Sequence, residues 1–486
     1  MQRQPRKTKI IATVGPASYS EDAIEGLIRA GANVLRLNLS HGELDVHGEV
    51  VERIRAVSKK LNAPVGILMD LQGPKIRVGD LVGGSIELKP GQKVSISAEP
   101  TKDPSVITTT YKDLGKDVRP GDKILFDDGL IEARVTGVAG PVVECEVVYG
   151  GLLKAHKGIN LPGVAVSAPS LSEKDLSDII FGIEAGVDYI ALSFVRKASD
   201  VADLKDRLKA GGAEIPVIAK IEKAEAIAAL DAILDEADGI MIARGDLGVE
   251  LAAEEIPVLQ KELISRANEA GKLVITATQM LESMITNPRP TRAEASDVAN
   301  AVFDGTDALM LSGETAVGKY PVKAIEIMVK IAVQAEEAAL AHKHLLRRKA
   351  VAGSFAQAVA FAAHAASNEV KPKAVVVFTQ TGETARLLSK LRPSTPIIAF
   401  TPLEKTWRKL SLVWGVEPYA IEFGSHTDEM ICRGEAALLD NGIASLGDTI
   451  VIVSGTKVGM RGATNMMKID WIGSEECKLY LKDKGE

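Results

Sequence analysis

The chain has 486 residues, 46% apolar and 25% charged, a length beyond one hydrophobic core and a composition ordinary for two or three globular domains. Its formal charge of -7, with no basic stripe, speaks against nucleic-acid binding, and no apolar run approaches the length of a membrane span. Three cysteines, Cys145, Cys432 and Cys477, leave one over and form no CxxC; they fit a reducing cytoplasm and predict neither a disulfide framework nor a zinc site.

The N-terminus is basic, but its apolar stretch is short and broken by Gly15-Pro16, so it reads as a first strand and not as a signal peptide. From there, short apolar runs alternate with amphipathic helical patterns. The runs are TKIIATVG, NVLRLNLS, VGILMDLQ, YIALSFV, VIAKIE, GIMIARGD, LVITATQM and ALMLSGET. Each has the near-continuous apolar texture of a parallel strand buried on both faces. Helical patterns such as EDAIEGLIRAG and AEAIAALDAILDEA follow most of them. Eight βα units predict a (β/α)8 TIM barrel, with its chemistry at the C-terminal strand ends. Arg36, Asn38, Ser40, Asp70, Ser193, Lys220, Glu222, Arg244, Asp246, Thr278, Ser312 and Glu314 all fall at those ends.

The rhythm breaks after the third run. SIELKPGQKVSISA, KILFDDGLIEARVTGV and VVECEVVYGG have period-2 patterns separated by Gly, Pro and Asp turns. They predict a small β-barrel at 73–167, inserted into a barrel made of 1–72 and 168–345 and carried at the mouth as a lid. The basic HKHLLRRKAVAG is the expected linker to a C-terminal α/β open-sheet domain at 346–486.

Lys220 and Glu222 stand two residues apart, on one face of their strand. Asp246 follows Gly245 at the end of the next run. Two convergent carboxylates make a hard oxygen site of the kind Mg²⁺ takes, and a lysine beside it can neutralise charge on a moving phosphoryl group. The pattern points to Mg²⁺-assisted phosphoryl or enolate chemistry. A Lys-x-Glu alone is more often a surface ion pair; the company it keeps sets this one apart.

RLNLSHG at 36–42, GPKIR at 73–77, KGINLPG at 157–163, SEKD at 172–175, AKIE at 219–222, ARGDLGVE at 243–250, ATQMLESM at 277–284 and LSGETAVGKYP at 311–321 occur in this order. In these motifs and in domain order the chain resembles the pyruvate kinase family from end to end. The resemblance implies phosphoryl transfer from phosphoenolpyruvate to ADP, giving pyruvate and ATP. It implies catalytic roles for Lys220, Thr278, Arg36 and Arg77. Substrate would meet Arg36, Lys220, Ala243, Arg244, Gly245, Asp246 and Thr278. Nucleotide would meet Asn38, His41, Arg77 and Lys157, and Glu222 and Asp246 would hold Mg²⁺ or Mn²⁺. A cytoplasmic homotetramer is also implied.

Many members of that family need K⁺, at a site resembling Asn38, Ser40, Asp70 and the carbonyl of Leu71. There a Glu stands at the position of Lys75, and Thr-Lys where this chain has Leu71-Gln72. A lysine can supply the charge of the ion, so K⁺ independence is expected. In the C-terminal domain Thr379, Gln380, Thr381, Gly382, Glu383, Thr384 and Ala385 resemble the family's effector loop. The hydroxyls of Thr379, Thr381 and Thr384, with Gly382, could cradle one phosphate. Glu383 would repel a phosphate somewhat, which leaves AMP or a sugar monophosphate as open as a sugar bisphosphate. Two other readings stand beside the kinase: a Mg²⁺-dependent barrel lyase or aldolase, and a non-catalytic metabolite-binding module.

Overall fold

The computed structural model describes residues 6–99, 103, 105–341, 353–457, 462, 464–475, 477 and 478. Eight strands, Lys9–Val14, Val34–Asn38, Gly66–Asp70, Tyr189–Leu192, Val217–Ile221, Gly239–Ala243, Leu273–Ala277 and Ala308–Leu311, close into a parallel barrel. Each pairs with the next, and the last pairs with the first. Every apolar run predicted as a barrel strand is one.

Period-2 alternation divides these strands between two cores. Val217, Ala219 and Ile221 join the layer packed against the surrounding helices. Ile218 joins Ile11, Val34, Leu68, Tyr189, Met241 and Ile275 in the barrel interior. The inward series therefore runs from apolar residues low in the barrel to Arg36, Asp70, Lys220 and Glu222 at its top. Sequence-local caps start the helices: Ser20 accepts from the Ala23 N–H, and Thr291 and Glu294 form a capping box.

The lid lies between the third and fourth barrel strands. It is a six-stranded sheet (Ile159–Asn160, Lys123–Phe126, Ile131–Ala139, Val142–Tyr149, Lys93–Ser97, Val106–Thr108) with a separate two-stranded ribbon. The expected β-barrel is thus not a continuous ladder. Its two edges meet only through single bridges, Arg77 to Gly158 and Val78 to Thr109. The entering segment 77–78 is too short to add a full strand. Both connections of the lid are tied to the barrel. Asp175 accepts from Gly73 N–H at 3.1 Å and from Ser172 N–H at 2.7 Å, and Arg196 donates to the carbonyls of Val166 and Ala168. Gly73 has φ 69°, and a Cβ there would stand 2.8 Å from the Phe194 ring, so only glycine fits the crossing.

The linker expected at 342–353 lies, but for Gly353, outside the described residues. Beyond it, Val416–Ala420, Ile397–Thr401, Ala374–Phe378 and Thr449–Gly455 form a parallel sheet, and Thr464–Trp471 adds an antiparallel edge. One face of this sheet shares a core with the barrel interior through Leu388, Leu410, Leu412 and Val413. Buried charges seal the junction. Asp307, just below the eighth barrel strand, meets Lys390 at 2.5 Å and Arg392 at 2.7 Å. Asp188, below the fourth, meets Arg55 and Arg408, each at 2.9 Å.

The cysteine reading needs correction. Cys432, on the helix Thr427–Asp440, is joined to Cys477 in a disulfide with Cα atoms 5.1 Å apart. The two stand 45 residues apart, and the turn after the edge strand brings them together, so spacing carried no sign of the pair. Cys145 is free and buried in the lid core. The cysteines therefore no longer argue for a reducing compartment.

Burial alone would raise the Asp307 carboxyl, but Lys390 and Arg392 outweigh it and hold it below the usual range. Asp307→Ala strands two buried cations and should cost about 3–5 kcal/mol in equilibrium denaturation at neutral pH. A carboxyl lowered on folding adds stability that is complete above its unfolded value, about 3.9, and is lost as pH falls through the lowered folded value. The gap between parent and variant should therefore narrow only below about pH 4. A gap independent of pH across that window would count against the ion pairs as its source.

Candidate active site

Four charged side chains are sealed together at the barrel mouth. The Lys220 ammonium lies 2.8 Å from Glu222 Oε1 and 3.4 Å from Asp70 Oδ1, and donates to Ser193 Oγ at 2.7 Å. Arg36 grips the other Asp70 oxygen through Nε at 2.7 Å and Nη2 at 2.5 Å, and donates to Thr13 Oγ1 at 3.0 Å. Glu222 Oε2 accepts the Phe194 N–H at 2.8 Å. The Lys220 side chain is 12% exposed and that of Glu222 only 1%. Burial alone would lower the Lys220 ammonium, but Asp70, Glu222 and Asp246 outweigh it and hold it above the ordinary lysine value. The same contest leaves the Asp70 carboxyl low, because Lys220 and Arg36 overcome its burial. Burial pushes the Glu222 carboxyl up against the pull of Lys220, and Asp246 pushes the same way.

Asp246 sits in the first turn of the helix Arg244–Glu250, directly after the sixth barrel strand. Its carboxylate makes no hydrogen bond or ion pair within the described residues, unlike those of Asp70 and Glu222. The Gly245 N–H donates to Thr278 Oγ1 at 2.8 Å, and Thr278 Oγ1 donates to the Ala277 carbonyl at 2.6 Å. Thr278, Gln279 and Phe194 all have left-handed backbones, with φ of 66°, 54° and 56°. Non-glycine residues rarely adopt this conformation, and such strain gathers at working sites.

Other predicted residues stand apart from this cluster. The Arg244 side chain turns away, to Asp297 at 2.7 Å and the Thr278 carbonyl at 2.8 Å, leaving its backbone with Ala243 and Gly245 at the mouth. Glu314 accepts from the N–H groups of Leu281 and Ser312, which makes it a brace for two loops. Burial pulls the His41 imidazole below its ordinary range, and the charges of Arg77, Lys75 and Arg36 press the same way. Arg77 donates to the His156 carbonyl at the root of the lid, and Lys157 pairs with Asp127 inside the lid.

The positions expected to hold a monovalent cation are already engaged. Asn38 Oδ1 accepts from the Ser40 N–H at 3.2 Å, and the Leu71 carbonyl accepts from Ser193 Oγ at 2.7 Å. Asp70 belongs to Arg36 and Lys220. Lys75 touches none of these groups. Its backbone N–H donates to the Gly73 carbonyl at 2.8 Å, and its ammonium, near Gly158 at the lid crossing, forms no hydrogen bond or ion pair within the described residues. In this arrangement Asp70 takes its counter-charges from Arg36 and Lys220, and Lys75 stands at the lid crossing.

Ser193 was expected at the barrel mouth but given no role, and the Phe194 amide was not expected there. The signal for Ser193 was parity, since it shares the inward face of Tyr189 and Ala191. The amide bond to Glu222 depends on a left-handed residue and leaves no trace in sequence.

No cluster of three or more His, Cys, Asp or Glu residues suited to a metal occurs among the described residues. Glu222 and the unpartnered Asp246 fit Mg²⁺, which takes one or two protein carboxylates and completes its shell with water and substrate oxygens. Two cations against three carboxylates leave the cluster one negative charge in excess, which such an ion would relieve.

The charge cluster thus stands at the mouth of a (β/α)8 barrel with an inserted lid, the end at which such barrels carry their active sites. Residues 5–325 match the family model for the pyruvate kinase barrel domain, and residues 357–470 match that for the pyruvate kinase alpha/beta domain. The chain is 50% identical over 480 residues to a pyruvate kinase of Bacillus licheniformis, which covers 97% of this chain and 82% of that one. It is 49% identical over 476 residues to a pyruvate kinase of Staphylococcus aureus, with 97% and 81% covered. The chain belongs to the pyruvate kinase family.

Lys220→Met should lower kcat by about 10²–10³-fold with the fold retained by circular dichroism, whereas a loss under about two-fold would remove Lys220 from the reaction.

Proposed function

We propose that the sealed cluster of Arg36, Asp70, Lys220 and Glu222, with Asp246 beside it, carries out phosphoryl transfer between phosphoenolpyruvate and ADP. The observation that carries this reading is the Lys220 ammonium, buried and kept charged by three carboxylates. A buried, fixed cation stabilises charge developing on a phosphoryl group without reorganising solvent. Family membership implies a divalent metal. Glu222 and Asp246 would hold it, and it would supply Lewis-acid stabilisation of the enolate oxygen. Ala243, Arg244 and Gly245 would receive the substrate carboxylate through their backbone at the helix start. Arg36 would meet the phosphate while Asp70 keeps its guanidinium in place. Thr278 Oγ1, fixed between the Gly245 amide and the Ala277 carbonyl, would orient the route by which the enolpyruvate carbon is protonated. Arg77, His41, Asn38 and Lys157 would line the nucleotide side as the lid closes.

We further propose that turnover does not require K⁺. Support comes from Asp70, whose carboxylate already has two internal counter-charges, and from Lys75, which adds charge to the rim around His41. Pyruvate formation from phosphoenolpyruvate, ADP and Mg²⁺ should be equal in K⁺-free buffer and after K⁺ is restored. Turnover only with K⁺ would keep the kinase and discard this reading; no turnover in either would discard the kinase.

A phosphorylated effector is proposed for the C-terminal domain. A pocket of about 280 Å³ opens between the loop 379–384 and Ser454, Gly455, Lys457 and Thr464. Gly382 has φ 86°, and its N–H bonds to Thr379 Oγ1 at 2.9 Å. Thr384 Oγ1 meets Thr464 Oγ1 at 2.6 Å, which ties the two walls together. Arg386 draws the Glu383 carboxylate aside at 2.8 Å, and so weakens its repulsion of a phosphate. AMP or a sugar monophosphate should sharpen the rise of rate with phosphoenolpyruvate concentration. A curve unmoved by these or by a sugar bisphosphate would count against regulation here. The homotetramer is also a proposal. Exposed Ile469 and Trp471 on the edge strand Thr464–Trp471 support association of copies.

A further inference from the structure

The lid carries a contact that the reaction described above does not use. Asp127 and Lys157 form an ion pair at 2.7 Å, with side chains 23% and 42% exposed. Backbone bonds fix both ends. The Lys157 carbonyl accepts from Val78 N–H at 2.8 Å, and the Asp127 N–H donates to the Gly158 carbonyl at 3.1 Å. Asp127, Asp128 and Gly129 form the tip between Lys123–Phe126 and Ile131–Ala139, and all three are left-handed, with φ of 50°, 55° and 86°. His156, beside Lys157, is left-handed too, at 64°. A tight hairpin turn needs such backbone, but two consecutive aspartates there put carboxylates where asparagine or glycine would serve as well. The tip also reaches the barrel. A Cβ on Gly129 would stand 3.7 Å from Val249, on the helix that carries Asp246. The pair therefore lies where the lid meets the barrel mouth.

We propose that Asp127 is a latch for Lys157: it holds the ammonium while the cleft is empty of nucleotide and takes it back as ATP departs. This rests on the reading of Lys157 as a nucleotide-phosphate group. A phosphate arriving at Lys157 must displace or share the Asp127 carboxylate, which opposes binding by like charge. The latch thus weakens nucleotide binding and speeds release of the product. Asp127 is a positioning residue that acts through Lys157 and touches no reacting atom.

The physics sets a sign that damage to the fold would not give. Asp127→Asn removes the charge and keeps a residue that tolerates the left-handed backbone. It should lower both KM for ADP and the inhibition constant for ATP by about two- to five-fold, the range for a partly exposed ion pair. Lys157→Met should raise KM for ADP, and adding Asp127→Asn to it should change nothing further. Asp128→Asn removes the neighbouring charge without the contact, and should shift neither constant as much. ADP saturation and ATP inhibition at fixed phosphoenolpyruvate read all four proteins. Unchanged or weaker ADP binding in Asp127→Asn would overturn the latch. So would the same shift in the Lys157→Met background, or in Asp128→Asn. An unchanged KM for ADP in Lys157→Met would instead overturn the nucleotide reading of Lys157, and the latch with it.

Discussion

Everything at the barrel mouth depends on keeping four charges out of water. A buried ion costs several kcal/mol unless partners and hydrogen bonds answer it, and each member of this cluster is answered by at least two groups. Asp70 is held by Arg36 and Lys220, and Lys220 by Asp70, Glu222 and Ser193. One strained residue serves this end directly: Phe194 is left-handed, and its amide reaches Glu222.

The cluster stands on a packed base. Below it the barrel interior is filled by Ile11, Leu68, Ile218, Met241 and Ile275, and this core runs on into the C-terminal sheet. At the junction, Asp188 and Asp307 repeat the same solution: a buried carboxylate beneath a strand, met by two cations each. The barrel thus has charge at both ends and oil between. Its lower end is covered by a domain, and its upper end by a lid held through Asp175 and Arg196.

How much of this was legible depended on range. The eight barrel strands and the insertion were readable because periodicity is local and strong. The convergence of Lys220 and Glu222 followed from their spacing of two. The docking of the lid edges through residues 77–78, the strand Val416–Ala420 and the Cys432–Cys477 pair were not readable, since each rests on contacts between segments far apart in the chain. The place of Lys75 was not readable either: it follows the left-handed Gly73 and lies near Gly158, across the lid crossing.

By itself the sequence determined the parity of every barrel strand, and with it which side chains enter the interior, because side chains alternate at every residue of a strand. It also determined the family, through motifs whose residues are needed together. Tertiary structure alone decided which charge answers which. Arg36 went to Asp70, Arg244 to Asp297 and Lys157 to Asp127, because an ion pair needs atoms within about 4 Å and the closure of the barrel and the seating of the lid set those distances.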